Sequence, residues 1–178
     1  ARAPAGRVRH GRRRKETGTF YTPQSLASFV VRRTLAPLVR GATTDDILAL
    51  RVVDPAMGSG AFLVAACRYL AHAYEGALVN EGRCAETDLD AHERANIRRL
   101  IARRCLAGVD ANPVAVQLAR LSLWLTTLAR DKPLSFLDDR LRVGDSIVGA
   151  SPDDLWRIHP RTSARRQDRA APLFEAGG

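Results

Sequence analysis

Apolar positions along the chain follow two periods, one of helices and one of short buried strands. Leu26, Phe29 and Val30 share one face of a helix over residues 24–36, with Thr22 or Ser25 near its start and Pro37 disturbing its end. Residues 43–46 read as a polar connection. Residues 48–54 form a short run, β-branched toward its end and closed by Asp54, which predicts a buried strand. A turn over residues 55–60 leads into an alanine-rich apolar helix over 61–80. A polar loop over 81–90 and a charged helix over 91–104 follow, and residues 105–110 form a second short strand closed by Asp110. Val114, Leu118, Leu121, Leu125 and Leu128 step by four and three, so residues 113–129 read as a helix with Pro113 in its first turn. Residues 141–145 are a third strand, closed by Asp145.

Strands that alternate with helices imply an α/β fold, with a parallel sheet and right-handed crossovers. Ligands of open α/β sheets bind beyond the carboxyl ends of the strands. Asp54, Asp110 and Asp145 are thereby expected to gather on one rim. The chain shows no internal repeat.

Composition adds limits. The 178 residues suffice for one domain with a sizeable core. No apolar run reaches the roughly 20 residues of a membrane helix, and no apolar stretch follows the basic N-terminus as a secretory signal would require. Three cysteines without C-x-x-C spacing read as reduced core thiols of a cytoplasmic protein, and four scattered histidines offer no metal site. The net charge of +9 is uneven, since residues 1–15 carry seven Arg or Lys and no acid. Residues 1–16 read as a disordered basic arm, either a phosphate-binding tail or a solvated terminus.

Four motifs carry chemistry. Asp54-Pro55-Ala56-Met57-Gly58-Ser59-Gly60-Ala61-Phe62 joins a strand to a helix through two glycines that let the backbone approach a ligand closely. No G-K-[ST] follows, so it is not a phosphate loop, and Leu63 stands where a dinucleotide fold needs a third small residue. Asp110, in Gly108-Val109-Asp110-Ala111-Asn112-Pro113, either accepts both hydroxyls of a ribose or caps the next helix. It lies 56 positions after Asp54, which requires an extra helix between the two strands. Gly144-Asp145-Ser146 either accepts from an adenine amine or is a plain turn. Upstream, Gly18-Thr19-Phe20-Tyr21-Thr22-Pro23 is a polar, aromatic lead-in whose hydroxyl and following helix amides suit a carboxylate.

In this order the motifs resemble those of adenine-specific DNA methyltransferases of restriction–modification and phage-defence systems, over residues 17–149. G-T-F-Y-T-P resembles that family's motif X, and D-P-A-M-G-S-G-A-F its motif I, usually written with Cys where Met57 stands. The stretch from Gly108 through the following helix resembles motif II, and L-D-D-R-L-R-V-G-D-S resembles motif III. The resemblance implies a Rossmann-like S-adenosylmethionine-dependent methyltransferase fold, here partial, with about three parallel strands and flanking helices. It also implies S-adenosyl-L-methionine as cofactor and DNA as partner. Tyr21, Thr22 and Pro23 would then face the methionine end of the cofactor. Asp54, Pro55, Ala56, Gly58, Ser59 and Gly60 would form the loop beneath it, with Phe62 packing beside. Asp110 and Ala111 would hold the ribose and support the adenine, and Asp145 and Ser146 would reach the adenine.

The family's catalytic N-P-P-[YF] string is absent from these 178 residues, so no catalytic residue is assigned. Residues 17–150 are read as the cofactor-binding part, and 151–178 as a linker or the start of an insertion. The remaining methyltransferase half, or a partner subunit, is expected to complete a sheet whose first strand is otherwise bare on one side. Competing readings are a non-catalytic cofactor-binding or scaffold subunit of a DNA-defence complex, and an RNA or protein methyltransferase fragment. A nicotinamide-binding domain is disfavoured by the missing third glycine.

Overall fold

The computed structural model describes residues 22–127 and 134–149; Tyr21 with the lead-in residues before it, the basic arm, Leu128 and residues 150–178 lie outside them. The described residues up to Ser146 belong to one compact unit. Its elements are α1 (Gln24–Val39), α2 (Thr44–Ala49), β1 (Val52–Asp54), α3 (Ala61–Asn80), α4 (Ala91–Cys105), β2 (Leu106–Asp110), α5 (Pro113–Thr126) and β3 (Leu141–Val143). Single 3-10 turns precede α4 and β3.

The three strands form a parallel sheet in the order β1-β2-β3, as the alternation of elements predicts. Val52 pairs with Leu106 and Asp54 with Gly108; Gly108 pairs in turn with Leu141, and Asp110 with Val143. Both crossovers step in the same direction, so right-handed connections put their helices on one face of the sheet. Burial agrees with this: Leu106 and Leu141 are sealed under the helices, while Val53, which points to the other face, stays 62% exposed. The sheet is therefore apolar on both faces and covered on one among the described residues.

Helix α3 is the hub, packed by α1, α4 and α5 and lying on β1 and β2. Its buried residues run almost continuously from Leu63 to Cys67 and on through Leu70, Ala71, Tyr74 and Ala77. A helix surrounded on several sides needs apolar residues nearly all round, and alanines let its neighbours approach closely. Cys67 and Cys105 are core thiols, and burial pushes the Cys67 thiol up to about 12. Glu75, also buried, is held by Arg94 at 2.7 Å. No described helix is long and apolar enough to cross a membrane.

The structure departs from the sequence pattern in three places. Residues 43–46 are not a plain connection: the Thr43 hydroxyl accepts the Asp46 amide, and the Asp46 carboxylate accepts the Thr43 amide at 3.0 Å. This reciprocal cap starts α2, which takes Leu48 and Ala49 and shortens the first strand to three residues. Helix α1 continues through Pro37 to Val39, although proline there has no N–H to give to the carbonyl four residues back. The apolar stripes of α1 and α5 face outward. Leu26, Phe29 and Val30 are exposed while Ala27, Val31 and Leu35 are buried. Val114, Leu118, Leu121 and Leu125 are exposed while Ala115, Val116, Ala119 and Leu123 are buried.

At Gly108, in the middle of β2, an added Cβ would lie 2.5 Å from Met57 Sδ and 2.8 Å from Leu63 Cδ1. Both neighbours are buried, so the loop after β1 and the start of α3 close down over this residue. Gly108→Ala is expected to destabilise the fold by about 1–3 kcal/mol, an overpacking cost. The loss should shrink in a Met57→Ala background. Denaturant melts of the two single variants and the double variant check both statements.

Candidate cofactor site

The turn from Asp54 to Gly60 is tied to the strands it leaves. The Gly60 amide donates to Met57 O at 2.8 Å, which closes the turn, and the Met57 amide donates to Val109 O at 3.0 Å. Asp110 completes the attachment. Its Oδ2 accepts the Gly58 amide at 2.8 Å, and its Oδ1 accepts the Asn112 amide at 2.8 Å. Asp110 does not cap α5; Asn112 does, through its side-chain oxygen to the Val114 amide at 3.0 Å. The helix-cap reading of Asp110 is thereby removed. Each carboxylate oxygen keeps a second lone-pair direction for another donor.

The strand register places the three acids as a staircase. Asp54 is level with Gly108, two residues short of Asp110, and Asp110 is level with Val143, two residues short of Asp145. Each step is about 6.6 Å toward the carboxyl side at the rise of a parallel strand. Ser146 folds back across this rim, its hydroxyl donating to Pro55 O at 2.6 Å. The turns after β1, β2 and β3 are thus linked to one another around a single edge of the sheet.

Asp54 is the strained member. Its Oδ1 accepts the Ala56 amide at 3.1 Å, while its Oδ2 is buried with no hydrogen-bond partner. Burial raises the carboxyl above its ordinary value; the Ala56 amide opposes this and the nearby Asp110 charge adds to it. An orphaned carboxylate oxygen costs free energy until a donor arrives.

The two glycines of the loop differ. Gly60 has φ +84°, and a Cβ there would lie 3.1 Å from Ala119 Cβ, so α5 forms the floor of the turn. Gly58 has φ +53°, and a Cβ there would meet nothing within 4 Å, so the space above it is open. Helix α3 starts at this point with no side-chain cap and no acid in its first turn. Its amide ends face the gap uncompensated. Thr22 and Ser59, far apart in sequence, line one cavity of about 330 Å³ with Arg68. Phe62 is half-buried against the core, Ala111 is exposed, and Pro23 accepts the first amide bond of α1 from Ala27 at 3.1 Å.

All expected site residues except Tyr21 are therefore described, and those of the first, second and third motifs share one rim. Thr22 joins Ser59 in the adjoining cavity. The supporting roles of Ala119 and Gly108 have no signal in the sequence. A methyl group and a hydrogen carry no chemical signal, and only the fold shows what they support.

The N-6 DNA Methylase family model matches residues 10–147. The adenine-specific methyltransferase PglX of Streptomyces coelicolor is 31% identical over 160 residues, which is 80% of this chain and 12% of that protein. A putative type II restriction enzyme and methyltransferase of Methanocaldococcus jannaschii is 24% identical over 81% of this chain and 16% of its own length. A type II restriction enzyme and methyltransferase of Escherichia coli is 23% identical over 78% and 16%. The chain thus spans less than a fifth of the length of each of these relatives.

Asp54→Asn removes a buried charge, so it is expected to raise the melting temperature near neutral pH. The sign follows from the raised carboxyl: the folded state favours the protonated form, so the ionised wild-type group destabilises above that value. The advantage of the variant should fade as pH falls and the wild-type group takes up its proton. Melting curves from neutral to mildly acidic pH check this; a lower melting point for the variant near neutrality would contradict it.

Proposed function

Because the chain belongs to the N-6 DNA methylase family, we propose that its carboxyl rim binds S-adenosyl-L-methionine for methyl transfer to the N6 amine of adenine in DNA. The observation that carries this reading is the rim itself. An open space above Gly58 is bordered by the Asp110 carboxylate and by the orphaned oxygen of Asp54. A cofactor with ribose hydroxyls, an ammonium group and a sulfonium supplies donors and positive charge where this edge lacks them.

In this arrangement Asp110 accepts the ribose hydroxyls on its remaining lone pairs while its bonds to Gly58 and Asn112 keep it oriented. Ala111 lies under the adenine, and Asp145 and Ser146 approach the adenine edge. Asp54 takes the positive end of the amino-acid part. The turn residues Pro55, Ala56, Gly58, Ser59 and Gly60 lie beneath, with Phe62 beside them, and Tyr21, Thr22 and Pro23 border the methionine end. The uncapped start of α3 favours a carboxylate there. When bound, the cofactor supplies an activated methyl carbon for direct displacement. The chain's own contribution is to hold that carbon in place and keep its polar surroundings fixed. The relatives' greater length supports the proposal that the target adenine is gripped by other parts of a longer protein.

Calorimetry with S-adenosylhomocysteine tests the assignment. The wild-type chain is expected to release binding heat. Asp110→Ala is expected to weaken binding by about tenfold or more, the cost of leaving buried ribose hydroxyls unpaired. Affinity should also fall on acidification, because a positively charged group beside Asp54 prefers the carboxylate form. Wild-type chain that yields no heat, or Asp110→Ala with unchanged affinity, would remove the cofactor from this rim.

A further inference from the structure

The opposite rim of the sheet carries the reverse charge. Arg103 and Arg104 lie in the last turn of α4, just before β2, and Arg140 immediately precedes β3. Parallel strands put all three at the amino edge. Together with Arg99, one turn back along α4, they line a groove of about 800 Å³ floored in part by Phe136. The Arg99 guanidinium stacks 3.8 Å from the centre of the Phe136 ring. That contact fixes the plane of the cation.

Among the described residues, four guanidinium groups share this groove with one carboxylate, Asp139, which is paired at 3.9 Å with Arg142. Among the described residues Arg103, Arg104 and Arg140 form no salt bridge. Partial burial and the Arg103 charge also hold the Arg99 guanidinium below its ordinary value. A helix carboxyl end by itself accounts for cations at Arg103 and Arg104. It does not account for Arg99 a turn earlier, nor for Arg140 arriving from another element to crowd the same space. Three like charges, Arg103, Arg104 and Arg140, brought together with no ion pair among the described residues mark a place for an external polyanion.

We infer that this groove binds backbone phosphates of a nucleic acid, as a contact separate from the carboxyl rim. The choice of nucleic acid over an acidic protein rests on the DNA-directed reading above. Arginine pairs with phosphate oxygens through two parallel N–H donors, and a stacked guanidinium is held ready for that geometry. The five residues of β2 separate the two rims by about 16 Å at the rise of a parallel strand. A duplex segment in the groove is therefore not the segment whose base would reach the cofactor. It is flanking or neighbouring DNA, held to add affinity without entering the reaction.

The test is a fluorescence-anisotropy titration of a labelled DNA duplex across a range of salt concentrations. The full chain is compared with Arg103→Gln/Arg140→Gln and with Arg103→Lys/Arg140→Lys. The basic N-terminal arm is present in all three proteins, so its contribution cancels. Each phosphate contact contributes about 0.9 to the slope of log affinity against log salt, so the glutamine pair is expected to flatten the slope by about 1–2 and weaken low-salt binding several-fold. The lysine pair keeps the charge and is expected to retain most of the slope, which also answers any loss of folding in the glutamine pair. A glutamine pair that binds the duplex with wild-type affinity and slope overturns the proposal. So does a glutamine pair that loses binding of an oligoglutamate peptide but not of the duplex, which would assign the groove to an acidic protein. S-adenosylhomocysteine binding, followed in parallel, is expected to be equal in all three. Its absence from the wild type would count against the cofactor rim alone and leave the salt slopes to decide the groove.

Discussion

Two backbone amides, those of Gly58 and Asn112, converge on the Asp110 carboxylate at 2.8 Å each, and that convergence decides where the loop after β1 can lie. A charged acceptor makes each bond stronger than a neutral one. The Met57 amide to Val109 O adds a third tie to the same strand end. With the turn anchored, Gly58 is presented outward and Gly60 inward, α3 starts where it does, and the helical layer follows. Remove the carboxylate and the loop loses its attachment to β2 at the residue that faces the open space.

Electrostatics divide the sheet along the strand direction. One edge collects carboxylates at the ends of β1 and β2 and beyond β3, and leaves one of their oxygens without a donor. The other collects guanidinium groups that outnumber the carboxylates beside them among the described residues. Neither arrangement stabilises the isolated chain; both leave unfavourable terms standing in the folded state. Polar cost concentrated at two edges of an otherwise well-packed helical layer is the pattern expected of surfaces shaped for other molecules.

Much of this was legible in the residues because it depended on chemistry that breaks a pattern. An acid at the end of a short apolar run marks a strand terminus, and two glycines one residue apart mark a close backbone turn, so Asp54, Asp110, Gly58 and Gly60 stood out. Residues 48–50 did not resolve correctly. Leu and Ala suit a helix as well as a buried strand, and the cap that decides between them uses Asp46 where the usual box has Glu or Gln. Which faces of α1 and α5 meet the core was not legible, for another reason. Both helices carry apolar residues on more than one side, and periodicity cannot say which side meets the core when the buried positions are small. Links such as Ser146 to Pro55 join residues 91 positions apart and have no local signature at all.

Contact between Gly60 and Ala119 gives α5 an unequal tolerance on its two sides. Its outward Leu118 and Leu121 are exposed, and exchange there leaves the inward contact with the turn in place. Inward, the helix can offer only a methyl group, since any longer side chain at 119 would lift the turn off its seat. Drift along α5 is thereby channelled to its solvent side, and the loop's position is insulated from it by the smallest side chain that can still fill the space.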